Sequence, residues 1–341
     1  MPRLMFVLSN LGGGGAERMA LVLVGELARR GHDVTLFAFR REGVLWSEVP
    51  ALVRVHAVGE ASEPTWRNAA AIWRALAAEA REQDVVIGAL EGWPTLLAYA
   101  AARRAGKPCI GWVHADYRDD RAFQLRYLWV TRLLDRVVCV SAAVAAGVTG
   151  GRCDVIHNAV SVAPVHAAPE AAVPLVLAIG RLTRVKRFDL LLAAHARLEA
   201  RGVAHTLAII GDGPERAALE QWGGGVEMPG YVADLEPWYR RAAIVVSCSR
   251  SEGFSLVVAE ALAHGVPVVA TRYPAARELL VDGRYGQLVD ANADALAAGI
   301  GQLLADRARR DELHALGPVR AAEFSVERFT ARWEQVIAEL A

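Results

Sequence analysis

The sequence predicts an α/β fold built twice, as two Rossmann-like domains that are each a doubly wound parallel sheet covered by helices. Three observations carry this. The chain has 341 residues, more than one hydrophobic core usually serves. Short apolar runs alternate with helical patterns in both halves, the pattern of right-handed βαβ units. Between the two series lies Ser161 to Pro174, SVAPVHAAPEAAVP, with three prolines and no periodicity, which predicts a linker.

In the first series the strands are LMFVLS, DVTLFAF, VVIGAL, PCIGWVH and RVVCVS. A helix over Ala16 to Arg30 follows the first strand, and a helix with tryptophan follows the second. The second series opens with PLVLAIG, then a helix from Phe188 to Arg201, HTLAIIGDG, a helix after Pro214, VEMPG, AAIVVSCS, a helix after Phe254, and PVVAT. From Phe324 to Leu340 an amphipathic helix is predicted, with Ser325 as its cap and Trp333 on its apolar face. The predicted domains are 1–163 and 172–323, with the tail helix beyond.

Composition excludes several classes. With 54% hydrophobic and 22% charged residues the chain can fill two cores, which a disordered chain cannot. Lys plus Arg and Asp plus Glu balance at 38 each, so no global field recruits nucleic acid. The four cysteines, Cys109, Cys139, Cys153 and Cys248, form no C-x-x-C pair and read as free thiols in a reducing compartment. The opening MPRLMFVLSN is too short for a secretory apolar region. The longest apolar stretch, Gly253 to Thr271, contains Glu260, His264 and Pro267, which argues against a membrane span. A cytoplasmic protein, either soluble or peripheral on the membrane's inner face, is expected.

Several stretches suit anion chemistry. Gly12 to Gly15 follow the first strand and precede a helix, where a bare backbone can approach an anion; such a turn can also simply close packing. A dinucleotide site wants an acidic residue after the second strand, whereas Arg40 and Arg41 stand there, leaving NADP as the open version of that reading. Gly180-Arg181-Leu182-Thr183-Arg184-Val185-Lys186 directly follows a strand. Two cations five residues apart on such a loop can flank a diphosphate, or can be solvated.

The strongest signal is SEGFSLVVAEALAHGVPVVAT. Glu252 precedes a helix predicted to begin near Ser255, and Glu260 lies inside it, so the two carboxylates can share one side. The same helix start aims backbone N–H groups of Ser255, Leu256 and Val257 outward for a phosphate. A glutamate in so apolar a stretch needs a partner, which sugar hydroxyls can supply; the helix dipole is the competing reason for it.

Taken in order, GGGGAER, VCVS, IHNAV, GRLTRVK, IIGDGPER, GYVADLEPWYRRA and the E-x7-E stretch resemble glycosyltransferase family 4, the retaining GT-B enzymes, over nearly the whole chain. The resemblance implies two domains facing a central cleft, with the tail helix returning to the first. It implies a nucleotide-diphosphate sugar as substrate, no cofactor, and a glycan or lipid-linked acceptor. Carried over by residue, Arg181 and Lys186 hold the donor diphosphate, Glu260 the ribose and Glu252 the transferred sugar. Gly13, Gly14 and Gly15 close on the phosphate side, and Tyr231 and Val232 lie where the base rests. His114 ends a strand where the family places a histidine near the anomeric carbon, although a lone histidine is often only packed.

The chain departs from the family after PVVAT, where Arg272-Tyr273-Pro274 replaces the usual glycine pair. No D-x-D metal motif occurs, and Asp119-Asp120 suit a cap for a helix near Arg121, so metal-independent transfer is expected. Trp66 and Trp73 with Arg67 and Arg74, and Arg121, Arg126 and Arg132 among Phe123, Tyr127, Leu128 and Trp129, suit either core packing or an anionic membrane surface. The alternatives left open are a nucleotide-sugar epimerase or phosphorylase of the same fold, an NADP-dependent oxidoreductase, and a nucleotide binder without turnover.

Overall fold

The computed structural model describes residues 1–60, 65–116, 129–148, 150–161, 173–222 and 225–341. Most of the predicted linker, Asp119-Asp120, Arg121 to Leu128 and the Trp66 side chain lie outside these. The chain divides into two compact units, Met1–Ala159 with Val326–Ala341, and Val160–Ser325.

In the first unit the strands are β1 (Arg3–Leu8), β2 (Asp33–Arg41), β3 (Arg54–Glu60), β4 (Val85–Gly88), β5 (Cys109–Val113), β6 (Arg136–Cys139) and β7 (Cys153–Val155). They run parallel in the order β3-β2-β1-β4-β5-β6-β7. Leu4 to Leu8 are wholly buried, because a central strand covered on both faces needs apolar side chains at every position. The helices between strands are α1 (Gly15–Arg29), α2 (Ala69–Glu79), α3 (Trp93–Ala105) and α4 (Ala142–Ala145). β3 and β7 were not predicted. Both are edge strands, with much of β3 exposed and only three residues in β7, so neither needs an apolar run.

The second unit holds β8 (Leu175–Ile179), β9 (Thr206–Ile210), β10 (Val226–Gly230), β11 (Ala242–Ser247), β12 (Val268–Thr271) and β13 (Gln287–Val289), in the order β10-β9-β8-β11-β12-β13. Its helices are α5 (Phe188–Ala200), α6 (Arg216–Glu220), α7 (Glu236–Arg241), α8 (Leu256–Ala263), α9 (Pro274–Leu279), α10 (Ala293–Ala305) and α11 (Arg307–Ala321). Leu191 and Leu198 of α5 and Leu296, Ile300 and Leu303 of α10 pack with Val176, Ile209, Ile244 and Val246 into one core. In each sheet the strand order reverses once, between β1 and β4 and between β8 and β11. Loops at the carboxyl ends of strands diverge there and leave a crevice for ligands.

The tail helix α12 (Val326–Ala338) belongs to the first unit. Phe329, Trp333, Val336 and Ile337 are buried at the spacing of one helical face. Trp333 meets the Trp112 ring of β5 edge-on with 4.7 Å between ring centroids. Glu334 receives Arg30 at 2.7 Å and His32 at 3.2 Å, and Glu339 pairs with the buried Arg136 and with Arg152.

Candidate functional site

At the reversal point of the second sheet, glycines allow two strand ends to interlock. The Gly180 N–H donates to the Ile210 carbonyl and the Leu182 N–H to that of Asp212, both at 2.9 Å. Gly211 has φ of 135°, and a β-carbon there would fall 2.0 Å from the Gly180 oxygen, so no other residue fits. The loop then makes a short turn over Arg184–Lys186, closed by Arg187 at φ 54°. Its position relative to the loop after β11 is pinned by the Arg250 N–H donating to the Val185 carbonyl at 2.7 Å. The Cys248 thiol also reaches the carbonyls of Lys186 and Arg187 at 3.2 and 3.1 Å.

This pinning brings Lys186 Nζ within 3.0 Å of Glu252 Oε2, with both side chains mostly buried. Ser249 Oγ donates to Glu252 Oε1 at 2.5 Å, and Thr271 Oγ1 donates to the Ser249 carbonyl at 2.9 Å. Arg181 is exposed, and among the described residues no carboxylate stands within ion-pair distance of it.

Helix α8 begins directly after the buried Ser255, whose extended backbone ends the loop. Its first N–H groups, at Leu256 and Val257, have no partner within the helix. Glu260, one turn in, accepts a 2.7 Å hydrogen bond from the buried Tyr239 hydroxyl of α7. Burial first, and the Glu260 carboxylate second, push that phenol well above its usual range, so it donates and does not ionise. Glu252 and Glu260 are thus held by different partners, Lys186 with Ser249 and Tyr239 respectively, because Glu252 lies in the loop before the helix. The shared side predicted for them does not take the form of a common partner.

Tyr231 is 60% exposed after the Gly230 turn, and Val232 beside it is partly exposed. Arg216 braces that turn, donating to the Met228 carbonyl at 2.9 Å.

The remaining predicted residues lie in the first unit. Gly13 takes φ 101°, and Gly14 and Gly15 lead into α1 with no side-chain cap. The Glu17 carboxylate lies against Gly14, 2.4 Å from where a β-carbon would stand, so an internal negative charge already sits beside this helix start. His114 follows β5. Its Nε2 faces the Ala89 carbonyl at 3.0 Å and therefore carries the proton. Its Nδ1 is buried without a partner among the described residues. Burial pushes this imidazole down to about 3, opposed by the Ala89 bond. Glu91 accepts from the backbone N–H groups of His114 and Ala115, fixing the strand end.

The sequence reading missed Tyr239, His264, Ser249 and Thr271. Tyr239 lies inside the quoted GYVADLEPWYRRA, and its signal is a phenol flanked by Glu236, Arg240 and Arg241 in a short helix. Among the described residues no group of three or more His, Cys, Asp or Glu is arranged to hold a metal ion. A separate cavity of about 510 Å³ in the first unit is lined in part by Arg41, Trp46, His56 and Glu60, at the β2 and β3 side of the sheet.

Two doubly wound units, each with a crevice at the reversal point of its sheet, are the architecture of the GT-B fold. Family models agree: "Glycosyltransferase Family 4" matches residues 13–164 and "Glycosyl transferases group 1" matches 173–306. The two matches in turn make the chain a GT-B-fold glycosyltransferase related to these two families. It is 29% identical to the lipopolysaccharide core biosynthesis glycosyltransferase LpsE of Rhizobium meliloti, over 95% of this chain and 96% of that one. It is 36% identical to the D-inositol 3-phosphate glycosyltransferase of Frankia alni, but over 44% of this chain and 41% of that protein. Its fold matches the crystal structure of Anabaena Alr3699/HepE in complex with UDP and glucose, with a TM-score of 0.86, 19% identity and full coverage of both chains.

Proposed function

We propose that the protein is a retaining glycosyltransferase that takes a hexosyl group from a nucleoside diphosphate sugar bound at the reversal point of the second unit. The contact of Lys186 with Glu252 at 3.0 Å carries this reading, since it sets a cation for the diphosphate beside a carboxylate for the sugar. Lys186, Arg181 and the N–H groups at Ser255, Leu256 and Val257 meet the diphosphate, where negative charge grows as the bond to the sugar breaks. Glu260 takes the ribose hydroxyls, the backbone at Tyr231 and Val232 takes the base, and Glu252 takes hydroxyls of the moving sugar.

The acceptor oxygen attacks the anomeric carbon on the face that the diphosphate leaves. The carbon–oxygen bond to phosphate breaks, and the acceptor's proton passes to the departing phosphate oxygen. The products are the new glycoside and a nucleoside diphosphate. In the first unit His114 is neutral, with Nε2–H committed to Ala89 and its Nδ1 lone pair left to accept from a hydroxyl, and Gly13 to Gly15 present bare backbone to an anion. No metal is required for charge balance in this scheme.

The acceptor is a glycan or lipid-linked saccharide, a reading supported by the full-length likeness to a lipopolysaccharide core enzyme. No helix among the described residues is long and apolar enough to cross a membrane. Exposed Trp93, Trp129 and Leu133 of the first unit, with exposed Arg67, Arg74 and Arg132, support a peripheral place on an anionic surface at the cytoplasmic face of a membrane. Thermal-shift screening against UDP, GDP and ADP with their sugars, followed by nucleotide release with saccharide acceptors, tests the reading. Failure of every nucleotide to stabilise the protein would overturn it.

A further inference from the structure

The partner of Glu260 is built more elaborately than a packed tyrosine requires. The Tyr239 ring lies flat on the His264 ring, 4.4 Å between centroids with 15° between planes. That imidazole is fixed at both ends. Its Nδ1 meets the Glu260 carbonyl at 2.8 Å, and its Nε2 meets Glu236 Oε2 at 2.6 Å. The two partners, a carbonyl and a carboxylate oxygen, hold the ring at both of its nitrogens. Glu236 is held in turn by Arg240 at 2.9 Å, and its carboxyl sits below the usual range because of His264 first and Arg240 after it. His264 also caps the carboxyl end of helix α8, which fixes its backbone.

A carboxylate on a helix can rotate about three bonds, and fixing it beforehand removes an ordering cost from ligand binding. Tyr239 occupies one acceptor direction of Oε2 and so sets the plane in which the carboxylate can receive further hydroxyls. A phenylalanine at 239 would pack equally well against His264, so the hydroxyl has no packing reason to be there.

We infer that Tyr239, clamped by the His264 and Glu236 pair, is a positioning residue that presents the Glu260 carboxylate to the vicinal hydroxyls of the donor's ribose and thereby makes the site select ribonucleotides over deoxyribonucleotides. This rests on the reading of Glu260 as the ribose ligand. Two hydroxyls in a fixed geometry reward a fixed carboxylate, and a sugar lacking the 2′-hydroxyl leaves one direction unmet.

The test uses calorimetric titration of the full chain with whichever of UDP, GDP and ADP binds tightest, and with its 2′-deoxy form. The wild type is expected to prefer the ribose form by tenfold or more. Glu260→Ala should abolish the preference. Tyr239→Phe should cut it at least fivefold while thermal melting stays within a few degrees of wild type, and His264→Ala should move it in the same direction. A structural role alone would change melting and leave the preference intact. If Glu260→Ala abolishes the preference but Tyr239→Phe retains it in full, the inference is overturned and the reading of Glu260 stands. If Glu260→Ala itself retains the preference, both are overturned.

Discussion

Lys186 and Glu252 neutralise one another in a mostly buried place, so removing either leaves the other uncompensated. Lys186→Ala is expected to lose about 2–4 kcal/mol of transition-state stabilisation, the scale of one preorganised electrostatic group. Glu252→Gln should lower kcat by roughly a hundredfold, because its contact strengthens as the anomeric carbon gains positive character. The double variant should lose less than the two losses added, since the pair is one unit. Glu260→Ala, by contrast, should chiefly raise the donor KM. Steady-state kinetics with varied donor check this, and equal loss of affinity with unchanged kcat in both glutamate variants would sink the division of roles. His114 offers a different measurement. Folding holds its imidazole down to about 3 from the ordinary 6.5. Between those values the unfolded chain therefore binds a proton that the folded chain does not. The stability associated with the neutral ring is present above about 6.5 and drains away as pH falls through that window. His114→Gln should flatten the fall in urea midpoint between pH 7 and pH 5, and an unchanged slope would count against it. Sequence spacing located both glutamates, Lys186 and the helix start, because each is tied to a strand end or a helical register. It could not reveal that Tyr239, 21 positions before Glu260, holds that carboxylate, since the contact exists only once α7 folds beside α8.

Elements differ in how much of their identity is local. Central strands such as β1 and β4 are apolar at nearly every position and were legible at once, while β3, β7 and β13 were not. β13 has three residues, and β3 carries Arg54, His56 and Glu60 along an edge. Their membership in the sheet comes from pairing with a neighbour, which no local pattern records. The tail helix is the reverse case, with its apolar face written at period 3.6. Its Trp333 is wholly buried against Trp112, so Trp333→Ala should cost about 3–5 kcal/mol of stability. Chemical denaturation followed by tryptophan fluorescence should show this loss in the first unit's transition, and a change under about 1 kcal/mol would mean the helix is dispensable to that core.

For the whole molecule, two expectations concern what it works with. Transfer should persist in excess chelator, because cations and helix N–H groups supply the charge that a metal would otherwise bring. Activity lost in chelator and restored by Mg²⁺ or Mn²⁺ would refute that. The exposed Trp93 and Trp129, together with the exposed Arg67, Arg74 and Arg132 of the same unit, should carry the protein onto anionic vesicles at low salt, with release as salt screens the arginines. Sedimentation of a Trp93→Ala, Trp129→Ala double variant should show lost binding, and a wild type that stays in the supernatant would point to a soluble acceptor.

The first unit is made of two separate segments, Met1–Ala159 and Val326–Ala341, with the second unit inserted between them. On a ribosome the usual order, amino-terminal domain first, is therefore inverted. The second unit has all its residues once Ser325 has emerged, while the first still lacks the helix that covers Trp112. Until Val326 to Ala338 leave the exit tunnel, the earlier-made part of the first unit waits with that aromatic surface bare to chaperones and to neighbouring chains.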